Sequence, residues 1–122
     1  MKALAVIGTL TWLGLWFTPD QLGQRHFERG EFTAAAENFQ DPMWQGTALY
    51  RAGEFEKAAG AFARRDTAEA HYNQGNAWLM NGKYESAIAS YDRALSQRPG
   101  WKNAADNRAL AKARLEMTEA TG

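Results

Sequence analysis

A pattern of five residues occurs three times with unchanged internal spacing: Gly23, Gly30, Phe32, Ala35, Phe39; then Gly46, Gly53, Phe55, Ala58, Phe62; then Gly75, Gly82, Tyr84, Ala87, Tyr91. In every copy the second glycine follows the first by seven residues, and the aromatic, alanine and second aromatic lie two, five and nine residues beyond it. Those offsets describe a helical hairpin. The second glycine takes a positive φ without steric cost, ending one helix and turning the chain into the next. The first glycine and the alanine let the two antiparallel helices approach closely, and the paired aromatics fill one face of the second helix. A lone hairpin cannot bury that face, so neighbours must stack. The chain therefore reads as an all-α helical-hairpin solenoid of about three repeats.

Cap signals set the boundaries. Thr18-Pro19-Asp20-Gln21 offers an N-cap, a proline at the first helical position and a glutamine suited to a capping box, and Asp41-Pro42 repeats the cap and proline. Asp66-Thr67-Ala68-Glu69 reads as an acidic cap with a glutamate three residues on. Helices are predicted over 19–29, 31–40, 42–52, 54–65, 67–81 and 83–97. Pro99-Gly100 breaks the chain before a solvated capping helix over 101–117, rich in Ala, Lys and Arg, and residues 118–122 read as a frayed tail. The turning glycines lie 23 and then 29 residues apart, so the second helices of the first two copies are shortened by about one to three turns relative to a full repeat.

Residues 18–117 thus form the repeat domain, and residues 1–17 differ from it. Lys2 precedes fifteen uncharged residues, 3–17. As a helix these would rise about 22 Å, short of a hydrocarbon core of about 30 Å. Three readings are open: an uncleaved membrane anchor, a cleaved signal peptide, or the end of a longer membrane segment. The absence of a small-x-small cleavage pattern near Thr18 favours the anchor. Trp12, Trp16 and Phe17 suit a membrane interface, and Lys2 favours an inside N-terminus, which would make the repeats extracytoplasmic (periplasmic).

Chemistry has little to attach to. The 14 basic and 14 acidic residues cancel, which argues against nucleic acid as a partner, and there is no cysteine. His26 and His71 stand at no established ligand spacing, so no metal or cofactor is expected, and both read as packing or surface residues. No nucleophile elbow or phosphate loop occurs, and Glu28, Glu31, Glu54 and Glu56 read as solvated carboxylates flanking turns. An enzyme is not expected.

Residues 68–100, AEAHYNQGNAWLMNGKYESAIASYDRALSQRPG, resemble a tetratricopeptide repeat along their whole length, through Gly75, Trp78, Gly82, Tyr84, Ala87, Tyr91, Ala94 and Pro99. His71 and Gln74 stand where that family places large apolar residues. More narrowly, the apolar segment followed by repeats is similar to the C-terminal part of aerotolerance-operon membrane proteins that join a von Willebrand factor A domain to such repeats. The chain lacks that domain and its Asp-x-Ser-x-Ser motif, which would make it a fragment or a stand-alone relative. That kinship implies a membrane-anchored scaffold working with other envelope proteins.

The resemblance implies protein or peptide binding on a concave face. Tyr50, Tyr72, Asn76 and Met80 fall on the side of the first helices turned away from their paired helices. Stacking in order sets Tyr50 and Arg51 beside Tyr72, Asn76 and Met80, with Asn103 and Asp106 continuing the surface on the capping helix. Together they offer aromatic and thioether area, a backbone-binding amide and a guanidinium fork. Trp78 and Tyr84 read as packing residues. A carboxylate clamp would want lysine at the position of Tyr72. The alternative role is a structural spacer or self-assembly module of a larger membrane complex.

Overall fold

A computed structural model describes residues 16–122. From Pro19 on they form seven helices and no strand: α1 (Pro19–Glu28), α2 (Phe32–Asn38), α3 (Pro42–Arg51), α4 (Phe55–Phe62), α5 (Ala68–Met80), α6 (Tyr84–Gln97) and α7 (Lys102–Thr121). Three hairpins, α1–α2, α3–α4 and α5–α6, follow one another, and each helix packs chiefly on its neighbours in sequence. The all-α hairpin solenoid is as expected.

All three hairpins turn by the same device. Gly30, Gly53 and Gly82 have φ of 75°, 81° and 75°. Around Gly30, the glycine N–H donates to the Phe27 carbonyl at 3.0 Å and the Glu31 N–H to the His26 carbonyl at 2.9 Å. The corresponding pairs recur at Gly53 with Glu54 and at Gly82 with Lys83. This Schellman arrangement satisfies carbonyls that a helix end otherwise leaves unpaired. It also starts the second helices, whose N-cap residues Glu31, Glu54 and Lys83 make no side-chain cap bond.

The other glycine of each copy marks the closest approach of its two helices. A Cβ on Gly23 would fall 2.7 Å from the ring of Phe39, on Gly46 2.6 Å from Phe62, and on Gly75 2.6 Å from Tyr91. Each aromatic ring therefore lies flat against a bare backbone. Ala35, Ala58 and Ala87 are fully buried at the same contacts.

The capping box at Thr18 and Gln21 forms, and Asp41 caps α3 by accepting from the Trp44 N–H. The third cap is displaced by one residue. Thr67 accepts from the Ala70 N–H, while the Asp66 carboxylate accepts from His71 and Gln97 instead. The second helices have 7, 8 and 14 residues, which is the shortening expected for the first two copies. The last helix runs past residue 117 to Thr121, so residues 118–121, read as a frayed tail, form its final turn.

α7 repeats the register of α5. Ala70 and Ala77 are fully buried, and so are Ala104 and Ala111, each 34 residues further on. Where α5 reverses at Gly82, α7 has Glu116 and continues straight. It is the first helix of a hairpin with no turn.

The predicted anchor falls on residues 1–17, of which 1–15 lie outside the described residues. Among the described residues no helix is long and apolar enough to cross a membrane. Phe17 lies beneath the Arg25 guanidinium, 4.7 Å from ring centre to Cζ.

Candidate partner-binding face

α3 and α5, the first helices of consecutive hairpins, bound a hollow of about 160 Å³ lined by Thr47 and Tyr50 from α3, Asn73 and Asn76 from α5, and Phe62 from α4. Small residues explain its position. Gly46 draws Phe62 tightly onto α3, so its ring is available as a lining between the hairpins. Tyr50 stands edge-on to Phe55, with ring centres 5.2 Å apart, and its hydroxyl makes no hydrogen bond to another described residue. Burial, and secondarily Tyr72, raises the pKa of that phenol, so it stays a neutral donor. The Asn73 side chain is likewise unbonded among the described residues, and the Thr47 hydroxyl donates to its own helix at Met43.

Asn76 belongs to a network behind the hollow. The Tyr91 hydroxyl donates to its Oδ1 at 2.6 Å, and Asn107 Nδ2 donates to the same oxygen at 3.0 Å and to the Tyr72 hydroxyl at 3.2 Å. Tyr91 is fully buried, which raises its pKa, and Asn76 satisfies a hydroxyl that would otherwise be stranded. With its oxygen so engaged, Asn76 keeps its NH₂ free for the hollow. Tyr72 packs on Trp101 and Tyr91, with centroids 4.5 and 6.1 Å away, and is a joint between α5, α6 and α7.

The remaining candidates lie apart from the hollow. Arg51 leans towards the first hairpin, its guanidinium 5.6 Å from the centre of Phe27 and 4.6 Å from that of Phe32. Met80 is exposed at the end of α5. Asn103 is exposed at the start of α7, and Asp106 is bound to Lys102 one turn away. The seven residues expected to share a surface thus divide into a lining pair, Tyr50 and Asn76, a packing residue, Tyr72, and four exposed positions around them.

Residues 44–104, half of the chain, match the family model for the tetratricopeptide repeat. The chain belongs to the tetratricopeptide repeat family. No curated protein matches it. Tetratricopeptide repeats are a non-catalytic fold that mediates protein–protein interaction. The match runs from α3 into α7 and lends no support to the narrower likeness to aerotolerance-operon proteins.

Within this tetratricopeptide repeat domain, the sequence gives no sign of Thr47 or Asn107 at the face, marks Phe62 only as a packing aromatic, and brings Asn73 forward only for a carboxylate clamp that Tyr72 in place of lysine argues against. The signal was the hydroxyl of Tyr91: where the other copies have Phe39 and Phe62, a buried phenol demands a partner, and Asn76 supplies it through an oxygen that Asn107 also bonds. His26 bonds Glu31 at 3.1 Å, and His71 donates from Nε2 to Asp66 at 2.7 Å, leaving its buried Nδ1 without a partner. Among the described residues no three His, Cys, Asp or Glu side chains converge as a metal site.

Proposed function

We propose that the protein binds a peptide segment of a partner protein along the inner face of its first helices, and that residues 1–17 tether it to a membrane with the repeats extracytoplasmic. The observation that carries the binding reading is the hollow between α3 and α5. Three unspent hydrogen-bonding groups, the Tyr50 hydroxyl, the Asn73 amide and the Asn76 NH₂, converge there over the ring of Phe62. Amides beside an aromatic surface suit an extended backbone carrying an apolar side chain. The tether is supported by the uncharged run at residues 3–17, and other envelope proteins, on the pattern of the aerotolerance-operon scaffolds, are the natural partners of a repeat domain so placed.

The test is co-purification of partners from detergent-solubilised membranes, followed by titration calorimetry with the partner recovered. Tyr50→Ala and Asn73→Ala should each weaken the partner by about 1–2 kcal/mol while the helical spectrum is unchanged. Glu85→Ala, on α6 away from the hollow, should leave binding intact. The opposite ranking rejects the inner face. Altered self-association with unchanged partners supports the spacer or self-assembly role instead.

A further inference from the structure

α7 sits on α6 as α5 sits on α4. Ala111 packs with Ala87 and Tyr91 of α6, and its counterpart Ala77 packs with Ala58 and Phe62 of α4. In each complete hairpin the remaining side of the first helix is covered by the second, with an aromatic ring pressed on the glycine. On α7 the corresponding position is Ala109, 34 residues after Gly75, and it is exposed.

The charges on this uncovered face are arranged about Ala109. Residues three, four and seven places away on a helix share its face. Asp106 stands three before Ala109 and Lys112 three after, Lys102 seven before and Glu116 seven after, and all four are exposed. Ala105 and Ala113, four residues to either side, are exposed as well. A two-fold axis through Ala109, perpendicular to α7, therefore brings Lys102 to Glu116 and Asp106 to Lys112 of a second, antiparallel α7, with Ala105 against Ala113. The symmetry makes each of these contacts twice, and every charge meets its opposite. In a parallel pair each would meet its like.

Ala109 also narrows the choice of occupant. A Cβ on Gly75 would lie 2.6 Å from the Tyr91 ring, so a second helix of the kind these hairpins use does not seat over a first helix that carries that Cβ. A helix presenting alanine does.

We infer that α7 is a self-association surface on which a second copy of this chain seats its own α7, antiparallel and centred on Ala109. The alanines let the two axes approach closely, and the flanking charges fix direction and register. One helix against one helix is a small interface, so the pair separates on dilution. No residue of α7 lines the hollow between α3 and α5, which makes this inference independent of the inner-face reading.

The chain has no cysteine, so introduced cysteines report the register directly. Full-length Ala105→Cys, Ala109→Cys and Ala113→Cys, in detergent micelles kept in excess over protein, are oxidised and separated on non-reducing gels. Ala109→Cys should form a linked dimer, since at an axis separation of about 9 Å the two Cα atoms on the two-fold stand about 4–5 Å apart, within disulfide range. Ala105→Cys and Ala113→Cys should each fail to link with themselves, their Cα atoms lying about 12 Å apart along the helices, yet link with each other when mixed. In sedimentation equilibrium, Lys112→Glu and Asp106→Lys should each raise the dissociation constant about tenfold, and an equal mixture of the two should restore it. The helical spectrum should be unchanged throughout, because every substituted site is exposed. Equal linking at all three single positions overturns the antiparallel register, and no linking at Ala109→Cys overturns the pairing itself. A mixture of the charge variants no tighter than its components overturns the charge selection.

Discussion

A single added methyl group has opposite consequences at two glycines of this chain. At Gly75 it would press into the Tyr91 ring at 2.6 Å, whereas at Gly60, inside α4, it would meet nothing within 4 Å. Helix propensity favours alanine over glycine by about 1 kcal/mol at either place. Overpacking of about 1–3 kcal/mol opposes it only at Gly75. Gly60→Ala should therefore stabilise the protein and Gly75→Ala destabilise it, read as denaturation midpoints by circular dichroism. A shift of the same sign in both would mean that the ring yields freely. The sequence distinguishes these glycines by position, since Gly75 recurs with Gly23 and Gly46 in a fixed spacing and Gly60 does not. It is less informative about polar pairing. Asn107 is one of several polar residues on a helix with no repeat partner to compare, and only the buried phenol of Tyr91 reveals its role.

Turns and caps explain why most helices begin and end where the sequence suggests. The positive φ of Gly30, Gly53 and Gly82 ends every first helix, and Pro19 and Pro42 start two of them. The exceptions arise where local signals are equal or missing. Asp66 and Thr67 are both good caps, and the choice falls to Thr67 because Asp66 is drawn into contacts with α5 and α6. Nothing after residue 117 breaks a helix, so α7 continues to the end of its helix-forming sequence. Asp66 also lends the third hairpin a pH dependence. Hydrogen bonds from His71, then from Gln97, hold its carboxyl below the usual carboxylate range. A folded-state value lower than the unfolded one gives stability that is complete above the ordinary carboxylate pKa and is lost as pH falls through the folded value. Urea midpoints should show wild type above Asp66→Asn near neutrality, with the gap closing below about pH 4. A gap independent of pH would assign the effect to shape alone.

For the whole molecule, three copies of one pattern were enough to establish the architecture, because a hairpin that cannot bury its own face leaves few alternatives to a stack. The inner face was legible only in part. Register identifies which residues share a side, but Arg51 bends to the rings of the preceding hairpin and Tyr72 into a joint, and such choices depend on neighbours that no single repeat specifies. Residues 1–17 bear on the molecule's placement. If they tether it, the full chain should sediment with membranes and a chain starting at Thr18 should remain in the supernatant. Equal sedimentation of the two would reject the tether. Each helix touches chiefly its neighbours in sequence, and the second helices of the first two hairpins are about half as long as that of the third. Such an array has no common centre to melt at once. Its cooperativity is that of a short zipper: the thinner hairpins open first, and the third, clasped by α7, opens last. A partner lying across several hairpins would splice those separate openings into a single event, lending the repeats a unity that their own contacts do not provide.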